Sequence, residues 1–128
     1  MTRKNISSGS PFESPIGFSR ACRVGQFIAV AGTAPLSAEG ITAFPGDVYA
    51  QTKRCLEISE NAILEAGGSL KDIIRTRIML TDISRWKEAG RAHGEYFGDI
   101  RPACTFVEVS RFINPDWLVE TEVDCIVE

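Results

Sequence analysis

Toward the end of the chain, Val119, Val123, Cys125 and Val127 alternate with Glu120, Glu122 and Asp124, while Leu118 and Ile126 stand at the two ends of the acidic row. Successive side chains of a β-strand point to opposite faces of its sheet. The run is therefore read as a strand with an apolar face that must be covered and an acidic face that need not be. A sheet built on this strand has a covered side and an open side, and the rest of the chain has to supply the cover.

The cover is read in two helices. Asp47 can cap the first; Val48, Cys55 and Ala62 recur every seven residues, flanked by Leu56 and Ile63, along one helical face. Gly67-Gly68 ends it, because glycine accepts the left-handed conformation of a helix C-cap. Asp82 or Ser84 can cap the second, which sets Trp86, Ala89, His93 and Phe97 on one side and closes at Gly98, with Pro102 blocking continuation. Strands are expected over Phe18 to Val24, Phe27 to Ala31, Ile73 to Leu80, Ala103 to Val109 and Leu118 to Val127. The first two join through a turn at Val24-Gly25-Gln26, and a loop rich in Pro and Gly follows over residues 35 to 46, with room for a short strand around Ile41 to Ala43. In the third strand Ile74, Thr76, Ile78 and Leu80 are expected on one face and Arg75, Arg77 and Met79 on the other. The order β-β-α-β-α-β-β reads as a single α+β domain over residues 16–128, with both helices on one sheet face. A flexible polar arm over residues 1–15 is expected before it.

The open face of that sheet is expected to carry Glu120, Glu122 and Asp124, with Arg20, Arg75, Arg77, Met79 and Phe106; Cys104 and Glu108 share the Phe106 face of their strand. Two readings fit. The face is either a solvated surface with rim ion pairs worth roughly 0–1 kcal/mol each, or a subunit interface around a polar cleft.

Composition excludes several function classes. The net charge of −3 and pI of about 5.2 argue against a nucleic-acid surface, which needs clustered Lys and Arg. No apolar run approaches the roughly 18 residues of a membrane span, and residues 1–15 lack the apolar core of a secretion signal. The four cysteines, Cys22, Cys55, Cys104 and Cys125, form no C-x-x-C pair, and His93 is the one histidine. Free thiols in a reducing cytoplasm are expected, and no metal site.

Four segments together resemble the Rid/YjgF family, the reactive-intermediate deaminases, also described as L-PSP endoribonuclease-like. They are Phe18-Ser19-Arg20-Ala21-Cys22-Arg23-Val24-Gly25; Val30-Ala31-Gly32-Thr33; Gln51-Thr52 with Glu65-Ala66-Gly67-Gly68-Ser69-Leu70; and Arg101-Pro102-Ala103-Cys104-Thr105-Phe106-Val107-Glu108-Val109 with Val119-Glu120-Thr121-Glu122. The resemblance runs from about Ile16 to Val127. It implies a chorismate-mutase-like homotrimer with helices outside and clefts between neighbouring subunits, needing no cofactor and binding an anionic small molecule, with neither nucleic acid nor membrane as partner. In the deaminating members an arginine follows the Pro-Ala pair and clamps a substrate carboxylate, a last-strand glutamate positions the attacking water, and a first-strand tyrosine helps close the cleft. Backbone N–H groups near the second-strand glycine and two residues past the arginine complete the site.

Carried to this chain, the resemblance makes Glu120 the catalytic candidate and Gly32, Thr105 and Phe106 parts of the substrate site. Cys104 stands at the arginine position, Phe18 at the tyrosine position and Arg20 at that of a first-strand glutamine. A thiol cannot replace the fixed, permanently charged fork of a guanidinium. Cys104 is read as a small cleft residue; a nucleophilic role would need a base or cation beside it, and His93 is read as packing. Glu120 is read either as a general base or as an ion-pair partner of Arg20, Arg75 or Arg77. Arg20 either binds an anionic ligand from a different wall or pairs with Glu120 or Glu122. Phe18 and Phe106 are cleft walls or trimer packing.

Three functions follow as expectations. The first is a hydrolase or deaminase acting on an imine, enamine or related C=N metabolite, with its substrate altered by the arginine replacement. The second is a non-catalytic trimeric metabolite-binding or regulatory protein. The third, a ribonuclease or translation inhibitor, is opposed by the acidic charge and the single histidine.

Overall fold

The computed structural model describes residues 2–128. Its six strands, β1 (Arg3–Ile6), β2 (Ala21–Val24), β3 (Phe27–Thr33), β4 (Ile73–Leu80), β5 (Ala103–Glu108) and β6 (Val119–Ile126), form one sheet in the order β1-β2-β3-β6-β4-β5. Three α-helices accompany them: the short α1 (Glu13–Ile16), α2 (Val48–Glu65) and α3 (Trp86–Phe97). All strand pairs are antiparallel except β4–β5, which is parallel and is bridged by α3.

The alternation that defined the last strand holds. Val119, Thr121, Val123 and Cys125 are buried under the helices, while Glu120, Glu122 and Asp124 lie on the open side, half-buried. Val48, Cys55, Leu56, Ala62 and Ile63 of α2 meet Ile28 and Val30 of β3 and Ile78 and Leu80 of β4 in two adjoining apolar clusters. The Asp47 carboxylate caps α2 by accepting from the Ala50 N–H at 2.9 Å. The C-terminus of α2 is held by cations that the sheet sends to it: Lys4 donates to the Glu65 carbonyl and Arg23 to the Ala66 carbonyl, both at 2.8 Å. Positive charge at that end complements the helix dipole, and the helix's own last turn contains none.

Gln51, fully buried, connects α2 to two loops. Its side-chain nitrogen donates to the carbonyls of Ala43 and Asp116, and its oxygen accepts from the Leu118 N–H. The entry to β6 is thus fixed by an amide reaching out of the helix.

The structure departs from the sequence reading in several places. Residues 3–6 of the expected arm form an edge strand on β2, with Ile6 buried, and Glu13–Ile16 form α1. The Ile41 to Ala43 region makes only an isolated bridge, Leu36 to Thr42. In β4 the register shifts between Ile73 and Arg75, so Ile73 takes the buried position and Ile74 is exposed. The largest departure concerns β5. Its parallel register sets Cys104 beside Thr76, Phe106 beside Ile78 and Glu108 beside Leu80, and Thr76, Ile78 and Leu80 all face the helices. Phe106 accordingly lies on the covered side, packed on Trp86 and His93 of α3, and not on the open face where it was expected.

Candidate active site

The local irregularity in β3 shapes the site. Ile28 and Val30 point to the core, and regular alternation would turn residue 32 inward as well. Val30 pairs with Val123 and Thr33 with Thr121, so Ala31 and Gly32 together oppose Glu122 alone, as in a β-bulge. Thr33 becomes the buried residue, and Gly32 is left beside Glu120: a Cβ at position 32 would meet Oε1 of Glu120 at 3.2 Å.

Arg20 leads into β2 from the neighbouring loop. Its Nη1 donates to the Gly32 carbonyl at 2.6 Å and to Thr33 Oγ1 at 3.1 Å, and its Cζ stands 5.7 Å from the Phe18 ring centre. Phe18, Arg20, Gly32, Thr33 and Glu120 therefore form one wall. Burial lowers the Arg20 pKa, opposed by the negative charges of Glu13 and Glu120. Burial raises the Glu120 pKa above the ordinary glutamate value; Arg20 pulls it down and Glu122 pushes it up. Neither expected ion pair of Arg20 with Glu120 or Glu122 forms among the described residues. Arg75 and Arg77 instead lie 4.0 and 3.8 Å from Asp124.

Sequence reasoning missed two members of this neighbourhood. Thr33 was seen only as the end of a strand. Glu13 lay in the expected arm, yet it is buried and accepts from the N–H and hydroxyl of Ser8. Burial favours its neutral form, but these hydrogen bonds, with further ones involving Ser7 and Ser10, hold its pKa below the usual value. No local pattern marks it.

Cys104, Thr105 and Phe106 are elsewhere. β6 and β4 separate β3 from β5, so three interstrand steps, roughly 14 Å, divide the Gly32 strand from the Cys104 strand. One chain does not bring its two groups of candidate residues together. Cys104 is exposed at the sheet edge beside Thr76, whose Oγ1 lies 2.8 Å from Nε2 of His93. Burial lowers the His93 pKa, and the ring packs 4.6 Å from that of Phe97, in keeping with its reading as a packing residue.

Among the described residues no cluster of three or more His, Cys, Asp or Glu side chains is placed to hold a metal ion, and no helix is long and apolar enough to cross a membrane.

A mixed sheet roofed on one side by two long helices, with a half-buried carboxylate beside a bulged glycine, makes this a small α+β protein of the YjgF fold. Within it, residues 10–127 match the family described as Endoribonuclease L-PSP. The chain is 40% identical over 109 residues to a RutC family protein of Pyrococcus abyssi, covering 84% of this chain and 85% of that one. It is 34% identical over 100 residues to the 3-aminoacrylate deaminase RutC of Acinetobacter baylyi, covering 78% and 79%. A crystal structure of a Mycobacterium tuberculosis member of the YjgF/YER057c/UK114 family superposes with a TM-score of 0.89 at 46% identity, over 98% of this chain and 100% of that one. The chain belongs to the Rid/YjgF family, the L-PSP endoribonuclease group.

Proposed function

We propose that the protein is a Rid-type hydrolase that deaminates an imine, enamine or related C=N metabolite in a cleft between subunits of a homotrimer. The observation that carries this reading is Glu120, a half-buried carboxylate with a raised pKa, packed so close to Gly32 that a side chain there would crowd its Oε1. Such a carboxylate holds a proton more readily than an ordinary glutamate, which suits it to proton transfer.

In the proposed reaction Glu120 takes a proton from water as the oxygen adds to the C=N carbon. From the iminium form of the substrate this gives a neutral carbinolamine, which receives that proton on nitrogen; its hydroxyl proton passes to Glu120 as the C–N bond breaks, and ammonia and a carbonyl compound leave. The chain itself supplies the base. The arrangement within one chain supports the oligomeric part of the reading, since Cys104 and Phe106 lie two strands from Glu120 and on the opposite face of the sheet. The similarity to the 3-aminoacrylate deaminase of Acinetobacter baylyi supports the reaction class.

The test is ammonia release from freshly generated 2-iminopropionate by the purified protein and by Glu120→Gln. Acceleration by the first and not the second supports the reading; equal rates from both reject it. A second reading, a trimer that binds a metabolite without turning it over, is favoured by one observation. Cys104 and Phe18 stand where the family resemblance implies an arginine and a tyrosine. Ligand-dependent thermal stabilisation with no product would select it. The ribonuclease reading has no support in the net charge of −3.

A further inference from the structure

The guanidinium of Arg20 belongs to a half-buried residue and has only neutral partners. Nη1 is occupied by the Gly32 carbonyl and the Thr33 hydroxyl, while Nε and Nη2 make no hydrogen bond among the described residues. No carboxylate oxygen of those residues comes within 4.0 Å of it. Arg54, Arg75, Arg77 and Arg85, by contrast, all face carboxylates. A guanidinium offers five donors in a flat fork suited to bidentate carboxylate binding. Arg20 spends one nitrogen on fixing its own orientation and leaves the edge formed by Nε and Nη2 unspent.

The surroundings of that edge are selective. The Phe18 ring lies 5.7 Å from the guanidinium carbon, giving one flat aromatic boundary. Gly32 leaves space beside Glu120, and Glu120 is near enough to raise the Arg20 pKa but too far to neutralise it by contact. A half-buried cation with a free bidentate edge, next to a carboxylate poised as a base, fits a ligand that is anionic at one end and reactive at the other.

We propose that Arg20 is the carboxylate anchor of the active site, binding a 2-imino or 2-enamino acid through Nε and Nη2 so that its C=N carbon faces Glu120. This rests on the hydrolase reading above and names its substrate class. The anchor, just before β2, thereby shares a wall with the base on β6, across the end of β3, and does not depend on the β5 position held by Cys104.

The experiment compares wild type, Arg20→Gln and Arg20→Lys on two substrates, 2-iminopropionate and its uncharged amide, 2-iminopropionamide. Pyruvate binding is followed in parallel by ligand-observed NMR. Arg20→Gln is expected to raise KM for the anionic imine about tenfold or more, to leave kcat/KM for the amide within about threefold, and to abolish pyruvate binding. Arg20→Lys should recover part of the loss. Arg77→Gln removes a positive charge from the open side of the sheet and should change neither. Equal losses on both substrates would overturn the proposal, since they would mark Arg20 as a structural tie for Gly32 and Thr33. Unchanged KM would also overturn it, as would a partner subunit's carboxylate occupying the free edge in a crystal of the oligomer. No turnover by wild type together with Arg20-dependent pyruvate binding would reject the hydrolase reading and leave the anchor standing. Turnover by wild type with no Arg20 effect would do the reverse.

Discussion

Gly32 and Glu120 are so close that a single β-carbon on the glycine would come within 3.2 Å of the carboxylate oxygen Oε1. The atom in the way is the tip of a flexible side chain, so the fold can yield where the site cannot. Gly32→Ala is expected to displace Glu120 and lower kcat for imine hydrolysis about tenfold or more, while the melting temperature moves by no more than about 4 °C. Thermal unfolding run beside steady-state kinetics checks both.

The raised pKa of Glu120 makes the sign of two pH effects predictable. As a base it works only when ionised, so kcat/KM should rise with pH through an inflection above the ordinary glutamate value of 4.5. Glu120→Gln should remove that limb. A carboxyl whose folded pKa exceeds its unfolded one contributes most to stability below the unfolded value, and this contribution falls as pH rises through the folded value. Glu120→Gln should therefore be more stable than wild type at about pH 7.5 and equal to it at about pH 3.5. Denaturant titration at the two pH values measures the difference.

Gln51 ties α2 to the loops at Ala43 and Asp116–Leu118 by three hydrogen bonds from a fully buried amide. Gln51→Leu keeps much of the volume but strands two carbonyls and an N–H. A loss of about 2–4 kcal/mol in urea unfolding is expected, with faster hydrogen exchange at Leu118 as the local signature.

The thiols divide into two groups. Burial pushes Cys55 far above the ordinary thiol range and Cys125 up to about 12, so neither forms thiolate in the native state. A thiol reagent followed by peptide mass mapping should leave both unmodified until the chain unfolds, then label them along with Cys22 and Cys104.

Much of the fold was legible because each surface strand carries its own burial pattern. The acidic and apolar rows of β6, the heptad-spaced face of α2 and the Asp47 cap could be read directly, since each depends on neighbours in sequence. What could not be read depends on a partner. Cys104, Phe106 and Glu108 were correctly placed on one face, but which face is decided by the parallel register with Thr76, Ile78 and Leu80. β1 has four residues and buries only Ile6, too little for an alternation to show. The pairing of Arg75 and Arg77 with Asp124, leaving Arg20 to Gly32 and Thr33, is likewise set by strand order. The site was legible as a set of residues only through family resemblance; its spread from the central strands β3 and β6 to the edge strand β5 was not.

The doubled residue opposite Glu122 acts as a phase reset in β3. Upstream of it even-numbered residues face the helices; at Thr33 an odd-numbered residue does. Straightening the strand with both Ala31 and Gly32 kept would turn position 32 toward the helices and Thr33 toward the open face, separating the glycine from Glu120. At its present length β3 cannot run regularly and keep Thr33 under the helices, so the irregular ladder and the glycine beside Glu120 come together.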